Sequence, residues 1–407
     1  MNRTCFILLA CITASFVSLH AQNGSSIRSR YGIGELNFLS TPRQLGMGGV
    51  NIPFSSNYDI SRSNPAAWHE LTNVRLQMNG SMENLDNAST LGTTSTSAAS
   101  LQGLSFALPI KKDIGMTAVL GFQPVSRSSF SIQARGDASG EGYRLSYESQ
   151  GGLSALRIGM SYKPISEICV GAMYGYHFGT INQAWKVTFD NGSFHNTDQS
   201  RITSHSGSNL TFGAIFYPMQ GLSFGATIAT ATDLNASRDT RYLYIYTDST
   251  LVGESGTVEL PMSFAVGASY LIGNKIMVAA DFHSQDWAGA KAFDRDQPEL
   301  KGAQRIGVGV EFLPSTEVGA SFWEKTAWRV GFSSQALYVK LRDKEENEIA
   351  FTGGFGFPIG NYTRADLAVE YGWRGEESNL AGKDTFLRIS FGISASELWF
   401  IRRGDDD

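Results

Sequence analysis

The stretch that decides the fold is residues 104–123, LSFALPIKKDIGMTAVLGFQ. Its first half places large apolar side chains at every second position, from Leu104 to Ile110. A polar turn at residues 111–113 follows, and the alternation then resumes from Ile114 to Phe122. A period of two is the period of a β-strand, whose successive side chains point to opposite faces. The stretch therefore predicts a β-hairpin with one apolar face and one face of small or polar residues.

The same layout recurs along the rest of the chain and predicts about fourteen strands. Further tight turns are expected at residues 163–164, 218–221, 273–275 and 360–361. The other connections are long and polar, and they are interpreted as loops: 84–100, 135–142, 190–199, 247–257, 286–302 and 376–383. Tight turns on one side and long loops on the other are typical of bacterial outer-membrane barrels, which also have an even number of strands. The predicted fold is an all-β, transmembrane, antiparallel β-barrel over residues 74–403, with a periplasmic tail at 404–407.

The composition agrees with this fold class. Only 17% of the 407 residues are charged, which is below the roughly 25% of ordinary soluble domains. No run of about 18 apolar residues follows the first 21 positions, so membrane-spanning helices are not expected. The net charge of -5 gives no basic surface for nucleic acid, and no nucleic-acid partner is predicted.

Residues 1–21 have the features of a secretory signal peptide. Arg3 supplies the positive charge, residues 6–17 form a short apolar core, and Ala21 ends a small-residue cleavage site. Residues 8–11 resemble a lipoprotein cleavage box, but the apolar run continues past Cys11, which favours ordinary cleavage. Cys169 is then the only cysteine of the mature chain, so no intrachain disulfide is expected. The predicted location is the outer membrane of a Gram-negative bacterium, with membrane lipid and the barrel assembly machinery as partners of a monomer.

The two faces of the strands differ in character. Aromatic residues recur at strand ends on the apolar face, as in an interfacial girdle, although aromatics favour strands in general. They are Tyr162, Tyr176, Tyr270, Trp373, Trp399 and Phe400. A charge that faces lipid at mid-depth costs about 2–4 kcal/mol, so charged residues of the other parity are predicted to face the lumen. These residues, with two histidines, are Arg75, Arg157, His177, Asp281, His283, Arg305, Glu311, Arg329, Glu370 and Arg388.

Residues 22–73 precede the first strand and show no alternation. They are rich in glycine and turn motifs, and they are too short for a separate domain. The inward positions of the strands include many small residues, and fourteen strands enclose more space than their own side chains fill. The segment is therefore predicted to fold into the lumen as a plug. Asn64 followed by Pro65 is expected to cap a short helix.

Two motifs in this segment resemble the N-terminal hatch of the FadL family of outer-membrane hydrophobe transporters. They are residues 43–49, RQLGMGG, and residues 64–67, NPAA. The closing stretch 386–403 also looks like the last strand of FadL-like proteins from Bacteroidota. The hatch residues implied by the resemblance are Arg43, Gly46, Met47, Gly48, Gly49, Asn64, Pro65 and Ala66.

The resemblance implies passive uptake of hydrophobic small molecules through a hatch-gated barrel with a side opening, without a cofactor. This sequence departs from the family in its first outer segment, residues 88–100, which is rich in Ser and Thr instead of being apolar. The sequence does not locate the side opening. A second hypothesis is a non-transporting interaction barrel, similar to the FadL-like type IX secretion shuttle, that binds secreted proteins with its loops.

An outer-membrane hydrolase is the third hypothesis, because residues 221–225, GLSFG, match a nucleophile-elbow pattern. That elbow requires a turn from a strand into a helix, whereas Ser223 begins an alternating strand, so an enzyme is not expected. His177 and His283 lack metal-ligand spacing, and no metal site is predicted. The lumenal charges are interpreted as a structural network that holds the plug, with an anion anchor for a ligand as the alternative.

Overall fold

The computed structural model describes residues 26–397, except positions 39, 91, 139, 192–193, 245–246, 316, 318, 342–343, 361–362 and 379–380. The predicted signal peptide, Trp399, Phe400 and the tail therefore lie outside the described residues. None of the helices in this part of the chain combines the length and the apolar character needed to span a membrane.

The chain is built almost entirely of antiparallel strands. In chain order they are β1 (Glu35–Leu36), β2 (Val74–Ser89), β3 (Gly92–Lys111), β4 (Met116–Pro124), β5 (Ser126–Ala138), β6 (Glu141–Ile165), β7 (Ile168–Phe189), β8 (Thr197–Met219), β9 (Leu222–Ala229), β10 (Thr232–Tyr244), β11 (Thr247–Leu260), β12 (Ser263–Ile272), β13 (Ile276–Asp286), β14 (Lys291–Ala292), β15 (Arg295–Asp296), β16 (Gly302–Phe312), β17 (Ala327–Leu341), β18 (Lys344–Pro358), β19 (Thr363–Arg374) and β20 (Lys383–Glu397). The helices are one α-helix, α1 (Pro42–Leu45), and three 3-10 turns at Ile27–Arg30, Pro65–Glu70 and Lys112–Ile114.

These strands form one closed barrel of fourteen wall strands, which confirms the predicted fold. Three wall strands consist of two consecutive segments each, namely β4 with β5, β9 with β10, and β11 with β12. The barrel closes where β2 pairs with β20, from Val74 opposite Glu397 to Ala88 opposite Lys383. Closure gives the strands partners on both sides over most of their length, as a membrane-spanning sheet requires.

An apolar belt surrounds the lower part of the barrel. On β6, the large apolar side chains from Leu156 to Ile165 point outward and are 41–58% exposed. On β7, the outward residues from Ile168 to Tyr176 are equally apolar, whereas the outward positions from Thr180 onward are mainly polar. We call the end of the barrel beyond the belt the outer end, and the end that carries the β6–β7 turn the inner end.

Several expected loops are in fact continuations of strands beyond the belt. Strand β6 has 25 residues, whereas about 9–11 suffice to cross the hydrocarbon core. Residues 84–100, 135–142 and 247–257, predicted as loops, lie mostly in hairpin strands that project past the belt. The prediction was wrong there because these strands have water on one or both faces and lack the apolar alternation. Residues 313–326, at the inner end, form a long connection that the sequence pattern did not indicate.

Candidate functional site: the lumenal segment and the gap in the wall

Residues 26–73, here called the lumenal segment, lie inside the barrel and contact every wall strand. The segment runs from the outer end, where Arg28 meets Asp384 of β20, to the inner end, where Leu71 precedes β2. Contacts to the fourteen wall strands are made through hydrogen bonds, ring contacts and close backbone approaches. The lumen, which was predicted to be wider than the wall side chains fill, therefore contains the lumenal segment.

Helix α1 is held at its start by a capping box. The Thr41 side chain accepts a hydrogen bond from the Gln44 amide, and the Gln44 side chain accepts one from the Thr41 amide at 2.8 Å. This reciprocal cap satisfies two amide groups that the first turn of a helix leaves free. Gly48 and Gly49 follow with φ of 69° and 75°, a left-handed conformation that favours glycine. They turn the chain so that it runs flat against the wall.

The small residues of the wall are the places where this backbone lies closest. A Cβ on Gly331 would be 2.1 Å from the Gly48 amide nitrogen, and one on Gly309 would be 2.3 Å from the Met47 carbonyl oxygen. Gly171 and Gly213 face residues 64–66 in the same way. The side-chain amide of Asn64 accepts a hydrogen bond from the Ala66 amide and donates one to the Ile52 carbonyl, at 3.0 and 2.8 Å. Pro65 occupies the first position of a 3-10 turn, as the sequence pattern indicates.

An inner charge cluster joins helix α1 to three wall strands. Arg43 binds Glu311 at 2.6 Å, Arg329 binds the other oxygen of Glu311 at 2.7 Å, and Arg329 also binds Asp366 at 2.7 Å. The side chains of Glu311 and Arg329 are 0% exposed. Charges this deeply buried are tolerated only when their partners and hydrogen bonds compensate the lost hydration.

The aromatic and acidic residues of the lumenal segment complete this cluster. The Tyr58 ring lies under the guanidinium groups of Arg43 and Arg364, at 4.9 and 4.4 Å from the ring centre. Asp59 accepts hydrogen bonds from Thr41 at 3.0 Å and from Gln77 at 2.8 Å. Burial raises the pKa of Asp59 above its ordinary value, and the nearby Arg43 opposes that rise.

A second, outer charge cluster ties the start of the segment to the outer end of the barrel. Arg28 binds Glu346 at 2.6 Å and Asp384 at 2.8 Å, and all three side chains are nearly fully buried. Arg374 binds Asp384 at 2.9 Å and also contacts Glu35 of β1. These residues were not among the predicted lumenal residues, because Glu346, Arg374 and Asp384 lie just beyond the alternating stretches and Arg28 and Glu35 lie in the segment without alternation. The signal that could have found them is their inward parity on strands β18, β19 and β20.

The ten residues predicted to face the lumen all point inward, and most contact the lumenal segment or one another. Their partners are Ser394 for Arg75, the Arg62 carbonyl for Arg157, Asn209 for His177, the Asn51 amide for Asp281, Asp281 for His283, the Gly48 carbonyl for Arg305, Arg43 and Arg329 for Glu311, Asp366 for Arg329, and Arg388 for Glu370. Arg388 also binds Glu83 at 2.8 Å. The set is thus divided between separate clusters and does not form one site.

The Ser223 hydroxyl lies 2.6 Å from the Pro53 carbonyl oxygen and 2.7 Å from the Ser269 hydroxyl, so it anchors the lumenal segment. In the described part of the chain, no group of three or more His, Cys, Asp or Glu residues is placed to hold a metal ion.

Among the described residues, the pairing between neighbouring wall strands is interrupted between the outer parts of β3 and β5, where it leaves a gap in the wall. Residues 104–111 of β3 pair with β4, but residues 92–103 pair only with β2 within the part of the chain that the structure describes. Strand β5 pairs with β6 on one side and, at residues 126–127 alone, with β1 on the other. The break between β4 and β5 follows Pro124, which has no amide hydrogen to donate to a ladder.

The lumenal segment bridges the lower part of this gap. Glu35 and Leu36 of β1 pair with Arg127 and Ser126, and the Asn37 amide donates to the Val125 carbonyl at 2.9 Å. From the opposite edge, the Gln102 carbonyl accepts a hydrogen bond from Arg62. Burial lowers the pKa of Arg62 to about 10, so this residue stays charged at neutral pH.

Two cavities adjoin the gap. The lower one measures about 250 Å³, and its lining is largely polar, with Glu83, Gln102, Arg127 and Arg388 among its residues. The upper one is an open cleft of about 1150 Å³ at the outer end, lined by residues 92–96 of β3 and 130–133 of β5 and also by residues of β6, β7 and β8. Other cavities in the lumen, toward β17 and toward β8 and β13, measure about 90 and 170 Å³.

Comparison with known proteins finds one matching family and several solved structures with a similar fold. The family model described as BamG matches residues 1–404. Among solved structures, a Pseudomonas aeruginosa FadL homologue is 11% identical with a TM-score of 0.63, over 89% of this chain and 99% of that one. The P. putida toluene transporter TodX is 13% identical with a TM-score of 0.60, over 90% and 100%. The Ralstonia pickettii toluene transporter TbuX is 14% identical with a TM-score of 0.58, over 88% and 99%. At these identities the likeness concerns the fold, which is that of the FadL-like barrels. No curated protein sequence matches this chain.

Proposed function

We propose that this chain, which belongs to the BamG family, is an outer-membrane barrel closed along its axis that acts by binding other polypeptides at its outer end. The observation that carries the proposal is the lumenal segment, which touches all fourteen wall strands and is held by two buried charge clusters. In this proposal the barrel lies in lipid as a monomer with its outer end toward the cell exterior, and the apolar belt supports its insertion in a membrane.

The energetics of the buried charges support a closed barrel. Removing one partner from a buried ion pair costs about 3–5 kcal/mol, because the other charge stays buried without compensation. Withdrawing helix α1 would separate Arg43 from Glu311, and withdrawing the start of the segment would separate Arg28 from Glu346 and Asp384. A ligand that passes along the lumen would have to break several such pairs together. The charged lining near Glu83 and Arg388 is also unfavourable for an apolar molecule.

The outer end offers a surface suited to protein partners. Strands β6, β7 and β8 have 22 to 25 residues and extend well past the belt as a paired sheet. Aromatic residues lie on this extension: Trp185 stacks on Tyr147 at 4.6 Å, and Phe189 contacts Phe194 at 5.2 Å. Phe194, in the connection between β7 and β8, is 44% exposed, whereas Trp185 and Phe189 are partly buried and Tyr147 is buried. Aromatic side chains are common anchors of protein interfaces.

The experiment that tests this proposal combines photo-crosslinking in cells with an uptake assay. A photoreactive amino acid is placed at Trp185 or Phe194 at the outer end, and at Val170 or Phe212 in the belt as controls. We expect crosslinks to polypeptides from the outer positions only. Liposomes that contain the purified barrel should take up toluene no faster than empty liposomes. Faster uptake without outer-end crosslinks would contradict the proposal.

Uptake of hydrophobic small molecules is the second candidate, and the gap between β3 and β5 is the observation that favours it. A gap in the wall connects the lumen with the surrounding membrane, and two of the similar folds belong to proteins named as toluene transporters. In this case the liposomes would take up toluene. The uptake should fall when Leu36, at the base of the gap, is changed to Arg, because the charge would oppose an apolar ligand.

A further inference from the structure

We propose that the outer part of the gap binds an extended, uncharged segment of a partner polypeptide as an added β-strand between β3 and β5. This inference rests on the proposed function, since it names how one partner would be held at the outer end. A sheet edge presents unpaired amide and carbonyl groups, and an extended peptide can satisfy them by adding a strand.

The first edge is residues 92–100 of β3, with the sequence GTTSTSAAS. These residues pair with β2 on one side and, among the described residues, with no strand on the other. Proteins usually protect such edges with lysine, proline or a bulge. This edge carries no charge and no proline, and its threonines favour the extended conformation. The Ser/Thr-rich stretch that separates this sequence from the transporter family is therefore an unprotected strand edge.

The second edge is on β5, beyond the residues that the lumenal segment already occupies. The segment bonds to the backbone at Val125 and Ser129, so odd-numbered residues present their amide and carbonyl groups to the gap. The regular pairing of β5 with β6 continues this alternation to Ala138. Residues 131, 133, 135 and 137 therefore face the gap in the same way. Strand β1, which pairs with Ser126 and Arg127, shows that this edge accepts an added strand.

The cleft between the two edges determines the chemistry of the peptide. Its volume is about 1150 Å³, and most of its lining is Thr, Ser, Gln, Asn and Ala. The charged lining residues Asp384, Arg201 and Glu148 already have partners. Asp384 binds Arg28, Arg201 lies over the Trp185 ring, and Glu148 accepts a hydrogen bond from the Ser146 hydroxyl at 3.2 Å. An uncharged segment fits this lining without leaving a charge unpaired. Nine strand residues span about 30 Å, so the β3 edge is long enough to align six to eight partner residues.

One segment between both edges accounts for the geometry better than pairing between two copies of the barrel. The cleft is lined by residues 92–96 and 130–133 together, so the edges border the same space. A single added strand would satisfy both of them. Pairing between copies would satisfy only one edge of each copy and would leave the other exposed.

The test uses the purified full-length barrel and a blocked seven-residue peptide of alternating Thr and Val as probe. Hydrogen–deuterium exchange is measured at residues 92–100 and 131–137 with and without the peptide. We expect exchange at both edges to slow at least about tenfold, with no change at β12 and β13. A peptide of the same length in which Pro replaces each Val should have no effect.

A pair of variants at one position isolates the backbone hydrogen bond. Gln133→Pro removes an amide hydrogen that faces the gap, whereas Gln133→Ala keeps it. The proline variant should weaken peptide binding at least about tenfold, and the alanine variant should bind as the wild type does. The proposal of an added strand would be wrong if the peptide protected neither edge or only one of them. It would also be wrong if the two variants bound the peptide equally well. If outer-end crosslinks to polypeptides persist in that event, the proposed function stands and only this inference fails.

Discussion

Glu311 is the residue on which the inner charge cluster depends most. It accepts hydrogen bonds from Arg43 of the lumenal segment and from Arg329 of the wall, and its side chain is 0% exposed. Inward parity alone predicted that Glu311 and Arg329 face the lumen, because a charge toward lipid is costly. Their partners could not be predicted, because Arg43 lies 268 positions away in sequence.

Removing the charge of Glu311 should destabilise the barrel strongly. Glu311→Gln leaves Arg43 buried without an acid partner, so the free energy of unfolding in detergent should fall by about 3–5 kcal/mol. Glu254→Gln is the control, because Glu254 is 39% exposed where it pairs with Arg238 and Arg295, and it should change stability by less than about 1 kcal/mol. Equal effects of the two substitutions would contradict the cluster's role.

Gly331 tests the close approach of the lumenal segment to the wall. Gly331→Ala would place a Cβ 2.1 Å from the Gly48 amide, so the segment must move and residues 42–49 should become more sensitive to protease. Gly353→Ala is a matched control on the neighbouring strand, because its Cβ would meet nothing closer than 3.9 Å. The control should digest as the wild type does, and a similar increase in both variants would exclude a steric cause.

At the scale of elements, alternation identified the part of each strand that lies in the belt but not the part beyond it. Residues 104–123 form the predicted hairpin because lipid outside and a filled lumen inside impose a period of two. Residues 84–100 also form strands, yet water removes that constraint and the pattern disappears. The gap between the outer parts of β3 and β5 also escaped prediction. A gap is a missing pairing, and no residue pattern in β3 or β5 records it.

Protease sensitivity should distinguish strands from loops at the outer end. Trypsin added to intact cells should cut first at Lys291 or Arg295, which are exposed and belong to the two-residue strands β14 and β15, held by short pairings within the long connection between β13 and β16. Arg144 and Arg201 lie inside paired strands and should resist cleavage, because a protease needs a locally unfolded chain. Peptide mapping by mass spectrometry gives the order of cuts. Early cleavage at Arg144 or Arg201 would show that these extensions are loops, as the sequence pattern had suggested.

At the scale of the molecule, the lumenal segment is the feature on which the proposed function depends. The sequence predicted a plug because residues 22–73 lack alternation and resemble a hatch, and the structure places residues 26–73 against every wall strand. Two features could not be read from the sequence. They are the reach of the segment to the outer end at Arg28 and the use of β1 to pair with the edge of the gap.

Ion conductance in a planar lipid bilayer tests most directly whether the lumenal segment closes the barrel. The wild-type protein should carry no steady current. Arg43→Glu should open a measurable conductance, because it places a second carboxylate against Glu311 and displaces helix α1 from the wall. A steady open-pore current in the wild type, unchanged by Arg43→Glu, would contradict the closed barrel.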